Sequence, residues 1–455
     1  MVIYLGYSTH LHRYLIPLVT KIKKKISHPG FIKYFNNTSW LFAEKILRMV
    51  VGLFLGIWVA RYLGPERFGI FSYAQSFVGL FVVIASLGLD NIVVRDLVKN
   101  ESRSDELIGT AFCLKILGAI GVLIVLAVAV NFTSNKMYTN CIVLIIASST
   151  IFQSFNVIDS YFQSKVLSKY IVYVNVISLF VSSLVKIALI VNKAPLIAFA
   201  IVILFDSFVL AFGYTYFYVK HSTFRIRNLR FNKTIAVGLL RDSWPLILTG
   251  FVASIYMKID QVMLKEMIGN DAVGQYAVAA RLSESWYFIP IVIVSSLFPA
   301  IINAQKINEE LYYARLQKLY DFVVWMSIAI ALPMTFLSDW VVNFLYGEQY
   351  SQAGNVLMIH IWAGVNVSMG AVWSNWILNE NKQKIAMCGH VAGAVLNILF
   401  NIYLIKKNGP EGAAVATLLS SYLSAMFAYS LYRPKLAYAM FFKSLNILRI
   451  YEYKR

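Results

Sequence analysis

The chain has 455 residues, 59% of them hydrophobic and only 14% charged, with a formal net charge of +19. Apolar stretches of about 20 residues, the length that spans the hydrocarbon core as a helix, recur along it and exclude a soluble multi-domain protein. Its three cysteines, Cys113, Cys141 and Cys388, have no paired spacing and suggest neither a disulfide framework nor a metal site.

Residues 1–38 form a basic segment with Lys21, Lys23, Lys24, Lys25 and Lys33. The apolar run that follows is too long for a signal peptide and lacks a small-residue cleavage site, so it reads as a true span. The stretch 2–19 is broken by His10, His12, Arg13 and Pro17 and reads as interfacial or disordered. The first half then offers spans at 39–62, 68–89, 107–130, 139–163, 169–192 and 195–219. A basic linker, 220–242, leads to spans at 243–267, 273–302, 320–345, 353–378, 384–405 and 411–432, and a basic tail, 433–455, ends the chain. The expected architecture is an all-α polytopic membrane protein of about twelve transmembrane helices, with lobes at 39–219 and 243–432.

Charge sets the orientation. With the N-terminus in the cytoplasm, inward segments hold 28 of the 41 Lys and Arg, outward turns hold 7 and the spans hold 6. That asymmetry places both termini inside under the positive-inside rule. It also accounts for the net charge without a nucleic-acid partner, because basic loops sit beside anionic lipid at about 1 kcal/mol per residue.

The halves repeat. Ser39-Trp40 opens the first span and Ser243-Trp244 the seventh. In the turns that follow, Gly64 and Gly69 correspond to Gly269 and Gly274, and Lys193-Ala194-Pro195 corresponds to Asn408-Gly409-Pro410. Six spans per half give both halves one orientation, so the repeat is parallel, an architecture with its substrate site between the halves.

The same turns carry a family resemblance. The run Trp58-Val59-Ala60-Arg61-Tyr62-Leu63-Gly64-Pro65-Glu66-Arg67-Phe68-Gly69 resembles the opening signature of bacterial polysaccharide exporters. So does Met257-Lys258-Ile259-Asp260-Gln261-Val262-Met263-Leu264, followed by Gly274-Gln275-Tyr276-Ala277 and Ala280-Arg281-Leu282. Over roughly 36–435 the chain resembles O-antigen flippases of the Wzx type, in the multidrug/oligosaccharidyl-lipid/polysaccharide exporter superfamily. The resemblance implies two six-helix lobes around a central V-shaped cavity. It also implies an undecaprenyl-pyrophosphate-linked oligosaccharide as cargo, moved to the periplasmic leaflet of the inner membrane for O-antigen or related polysaccharide synthesis. The polymerase and chain-length machinery of that pathway are the implied protein partners.

Charges inside spans are costly and seldom face lipid. A diphosphate needs cations on its route, and Arg48, Lys258, Arg281, Lys45 and Lys115 are the candidates; Arg offers a fork for phosphate oxygens, Lys a point charge. Glu44, Asp260, Glu284 and Asp206 are candidate charge partners or ion-coupling carboxylates. Glu44, Arg48, Gly52 and Gly56 share one face of the first span at i, i+4 spacing, and Gly250, Ser254 and Lys258 share one of the seventh. Asn366, Gly370 and Ser374 give the tenth a face suited to sugar hydroxyls. Other readings stay open: Glu44–Arg48 and Arg281–Glu284 as self-neutralising intrahelical pairs, Lys45 and Lys115 snorkelling inward, Lys186 snorkelling outward, and the glycine stripes as packing seams.

A cation-coupled drug or metabolite antiporter of the same superfamily is the alternative, but carboxylates should then dominate its cavity. The signature Gly-x-x-x-Asp-Arg-x-Gly-Arg of major facilitator carriers is absent from 90–106. No His-Glu-x-x-His, no phosphate-cradling Gly-rich loop and no long outward loop is present, so neither an enzyme nor a cofactor is expected.

Overall fold

The computed structural model describes residues 29–133, 136–221 and 230–446. The Lys21–Lys25 cluster, part of the linker and the end of the tail lie outside the described residues. The regular elements are helices. In the first half they are α1 (Pro29–Ser86), α2 (Asp90–Lys99), α3 (Ser104–Ala129), α4 (Met137–Gln153), α5 (Val157–Ser164), α6 (Ser168–Val191) and α7 (Leu196–His221). The second half has α8 (Lys233–Met267), α9 (Asn270–Glu284), α10 (Phe288–Gln305), α11 (Glu309–Tyr346), α12 (Ser351–His360), α13 (Ala363–Asn379), α14 (Gln383–Ser430) and α15 (Pro434–Ser444).

Among the described residues nine helical stretches, some joining two consecutive helices, are long and apolar enough to cross a membrane, or ten with the bent pair 348–379 taken as one crossing. Two of them are too long for one crossing. α1 has 58 residues, about 87 Å at ~1.5 Å per residue, against a hydrocarbon core of roughly 30 Å. It is interrupted at Gly64 (φ 71°, ψ 168°), ahead of Pro65. α14 has 48 residues and is interrupted at Gly409 (φ 56°, ψ −134°), ahead of Pro410. Both glycines take positive φ, and the following prolines cannot donate to the preceding turn, so the helical ladder ends there. Dividing the two at these points yields the twelve crossings expected from hydropathy.

Contacts along α1 confirm its hairpin. Its second arm and the turn after it run antiparallel to α8: Gly88 of the turn lies against Leu246, Gly79 against Lys258, and Ser76 Oγ donates to Gln261 Oε1 at 2.8 Å. Its first arm runs antiparallel to α9, with Gly52 and Gly56 against Arg281. Both arms therefore lead away from the Gly64 turn toward the end of the bundle that carries α2. Within the first lobe α1 also packs against α3, α4 and α6, and within the second α8 packs on α14 and α11 on α12 and α13. α8 starts with Asn232, whose side chain accepts from the backbone N–H groups of Thr234 and Ile235 and whose backbone N–H donates to Thr110 Oγ1 at 2.9 Å, tying the linker to α3.

The outside of the bundle is apolar. Phe54, Trp58, Phe212, Phe336 and Trp340 are exposed, the arrangement for a lipid-facing surface and the reverse of a soluble fold. This is a multi-pass membrane protein.

Candidate translocation cavity

A cavity of about 450 Å³ lies between the lobes. The first lobe contributes Gly52, Gly56, Ser72 and Gln75 from the arms of α1, with Ser183 and Lys186 from α6. The second contributes Lys258 and Gln261 from α8, with Arg281 and Glu284 from α9. Three cations thus face one carboxylate among hydroxyls and carboxamides. Aqueous or ionic contents are favoured, because an unpaired charge against hydrocarbon is strongly disfavoured.

Arg281 is the link across it. Its Nη2 donates to the Gly52 carbonyl at 3.1 Å, in the other lobe. Its guanidinium also lies over Gly56, where a Cβ would collide with it. Gly56 thus serves a close approach between lobes, beyond a packing seam. The intrahelical reading of Arg281–Glu284 is corrected: no ion pair joins them among the described residues, and the guanidinium turns to α1. Lys186, for which the sequence left outward snorkelling open, lines the cavity.

The turns at Gly64 and Gly269 close one end. A Cβ on Gly69 would fall far inside contact distance of the Asn270 carbonyl, and one on Gly274 far inside that of Pro65. The two contacts are equivalent under the internal repeat, each glycine seating the carbonyl of the opposite turn. Around them Tyr350 donates to the Ala60 carbonyl at 2.8 Å, Gln349 to Arg61 at 2.9 Å and Gln275 to Gln349 at 3.0 Å. At the other end Arg95 of α2 bonds Asp96 at 2.7 Å and Asp242 of α8, the last residue of the linker, at 2.5 Å. Its two carboxylates raise the pKa of Arg95 above its ordinary value.

The remaining candidates lie outside the cavity lining. Arg48 pairs with Glu44 on its own helix, Nε to Oε1 at 2.8 Å, so the self-neutralising reading holds for this pair. Lys45 is exposed. Lys115 is corrected: it does not snorkel but is 2% exposed and ion-paired with Asp90 of α2. The pair is lopsided, because the Asp90 side chain is 58% exposed. Asp90→Asn, which strands a buried cation, should cost about 3 kcal/mol or more, and Lys115→Met, which frees a hydrated carboxylate, about 1 kcal/mol. Thermal unfolding of the two variants in detergent measures that order. Asp206 accepts from Ser178 inside the first lobe. Asn366, read as a sugar contact, instead donates to the Ser421 carbonyl at 2.9 Å.

Asp260 sits in a buried polar knot of the second lobe. Oδ2 accepts from Tyr276 and Thr417, each at 2.7 Å, and Oδ1 accepts from Asn401 at 2.6 Å. Asn401 Oδ1 is buried without a hydrogen-bond partner. Sequence reasoning named Asp260 but missed these partners, which lie 16 to 157 residues away.

A family model described as polysaccharide biosynthesis protein matches residues 34–305, and one described as MatE matches 245–403. A Shigella flexneri protein named "Putative O-antigen transporter" is 24% identical over 424 residues, covering 87% of this chain and 97% of that one. For a Shigella dysenteriae protein of the same name the match is 22% over 205 residues, so the chain spans about half (49%) of that relative. Among solved structures, a lipid II flippase MurJ in an inward closed conformation aligns with a TM-score of 0.71 at 15% identity, covering 89% of this chain and 90% of that one. The chain belongs to the polysaccharide biosynthesis protein family, and it shares the fold of a lipid II flippase and of transporters of the MOP superfamily.

Proposed function

We propose that this protein carries an undecaprenyl-diphosphate-linked oligosaccharide from the cytoplasmic to the periplasmic leaflet of the inner membrane by alternating access, supplying O-antigen or a related surface polysaccharide. The observation that carries the reading is the set of Lys186, Lys258 and Arg281 around a cavity with one carboxylate, Glu284. An anionic headgroup is matched there, and a cationic drug is not. Hydroxyls and carboxamides on the same walls suit a glycan. The positive-inside bias supports a cytoplasmic position for α2 and both termini, and in this reading the glycine turns close the periplasmic side. A potential negative inside favours outward movement of the diphosphate by about 2.3 kcal/mol per charge per 100 mV. The carrier performs no bond chemistry; a polymerase and chain-length machinery would act on its product.

Complementation tests this. In a strain lacking its O-antigen flippase but supplied with the cognate glycan genes, the protein should restore surface polymer and clear the lipid-linked oligosaccharide trapped inside. Failure to restore would favour the antiporter reading.

Asp260 favours a second element, coupling to a monovalent cation. The unpartnered Asn401 oxygen beside a carboxylate that already accepts three hydrogen bonds offers a cation its ligands. Transport in proteoliposomes should then depend on an inward cation gradient and lose that dependence in Asp260→Asn. Gradient dependence that survives in the variant would remove Asp260 from coupling.

A further inference from the structure

A second polar cavity, of about 240 Å³, lies in the first lobe away from the cationic one. It sits where α2 meets α5 and is lined by Asp90, Asn91, Asn156, Asp159, Ser160 and Gln163, with Val94 the one apolar residue. At ~30 Å³ per water it has the room of roughly eight waters, which suits one sugar ring and not a whole oligosaccharide.

Its walls are anchored and partly uncommitted. Asp90 is fixed by the buried Lys115, Ser160 Oγ donates to the Asp90 carbonyl at 3.4 Å, and Gln163 donates to Asp159 Oδ1 at 2.8 Å. One oxygen of each carboxylate is left over, and the Asn91 and Asn156 side chains make no hydrogen bond among the described residues. Carboxylates accept, carboxamides both donate and accept, and together they match vicinal hydroxyls, each of which does both. A metal ion fits less well: among the described residues no group of three or more His, Cys, Asp or Glu is placed to hold one. Lys115 further offsets the negative charge.

Position ties this cavity to the translocation path: one wall is α2, whose Arg95 bonds Asp242 of α8 at the end of the bundle opposite the glycine turns. From these observations we infer that the α2–α5 cavity is a sugar-binding subsite, which takes one neutral or N-acetylated ring of the glycan while the cationic cavity takes its diphosphate. The assignment rests on the lipid-linked glycan reading above.

Two measurements test it. The first uses a chain with Cys113→Ala, Cys141→Ala, Cys388→Ala and Val94→Cys, labelled with a maleimide in detergent. Methyl glycosides of hexoses, 6-deoxyhexoses and N-acetylhexosamines are the probes. At least one class should slow labelling about fivefold, and adding Asn91→Ala with Asp159→Asn should abolish the protection. Protection by none, or equal protection by sodium or magnesium chloride, overturns the subsite. The second compares transport of a polyprenyl diphosphate bearing an oligosaccharide with transport of the bare polyprenyl diphosphate in proteoliposomes. Asn91→Ala/Gln163→Ala should lower the ratio of the two rates about tenfold. An equal loss for both probes would mark a structural role and overturn the subsite. Protection in the first measurement with a wild type that moves neither lipid would instead retain the sugar site and discard the flippase reading.

Discussion

Gly69→Ala and Gly274→Ala are each expected to insert and fold normally yet lose transport by about tenfold or more. The added methyl meets the Asn270 carbonyl in the first variant and the Pro65 carbonyl in the second. These are backbone atoms on helical turns and cannot rotate aside as a side chain would. The contact lies between lobes, so the strain is relieved by parting them, with each lobe's own core intact. Overpacking of about 1–3 kcal/mol shifts the ratio of closed to open forms by roughly 5- to 150-fold. A cysteine in place of Ser72, which lines the cavity, should accordingly react with an impermeant maleimide added outside in the alanine variants and resist it in the parent. Unchanged labelling together with unchanged transport would show that the turns do not form the seal.

Arg281→Ala should abolish more transport than any other single substitution in the cavity. Charge-assisted hydrogen bonds contribute about 1.5–3 kcal/mol each, which predicts a loss of roughly 10- to 150-fold. Arg281→Lys keeps the charge but loses the fork that spans the Gly52 carbonyl and the cavity, and should recover only part of the rate. Lys258→Ala and Lys186→Ala remove point charges and should each cost about tenfold. Removing Glu44 and Arg48 together, as Glu44→Gln/Arg48→Gln, should cost little, because that pair neutralises itself outside the cavity. Initial rates with a lipid-linked oligosaccharide at equal protein abundance measure the series. A double variant as impaired as Arg281→Ala would return Arg48 to the cargo route.

Hydropathy and turn chemistry made the crossings legible. The turns at Gly64 and Gly409 fall between expected spans, and the correspondence of Gly64 with Gly269 holds to the backbone, since both have positive φ. Depth along a span was legible too, but rotation about its axis was not. Lys186 and Lys115 both lie toward the ends of apolar runs, where a long side chain can reach water. The first nevertheless points between the lobes and the second into the first lobe, toward Asp90, 25 residues back. Lys258 and Arg281 fell within the family-like motifs, and both line the cavity. The partners of Asp260 come from α9 and α14, and only the packing of α8 against both helices brings them together.

Where the glycine turns meet, the seal joins main chain to main chain, so there it asks of the sequence that two positions carry no Cβ. Cavity side chains are under no such constraint from the seal. Under the flippase reading, substitutions that adapt the walls to a new cargo can therefore accumulate without disturbing the glycine contact, and closure and cargo preference can diversify independently.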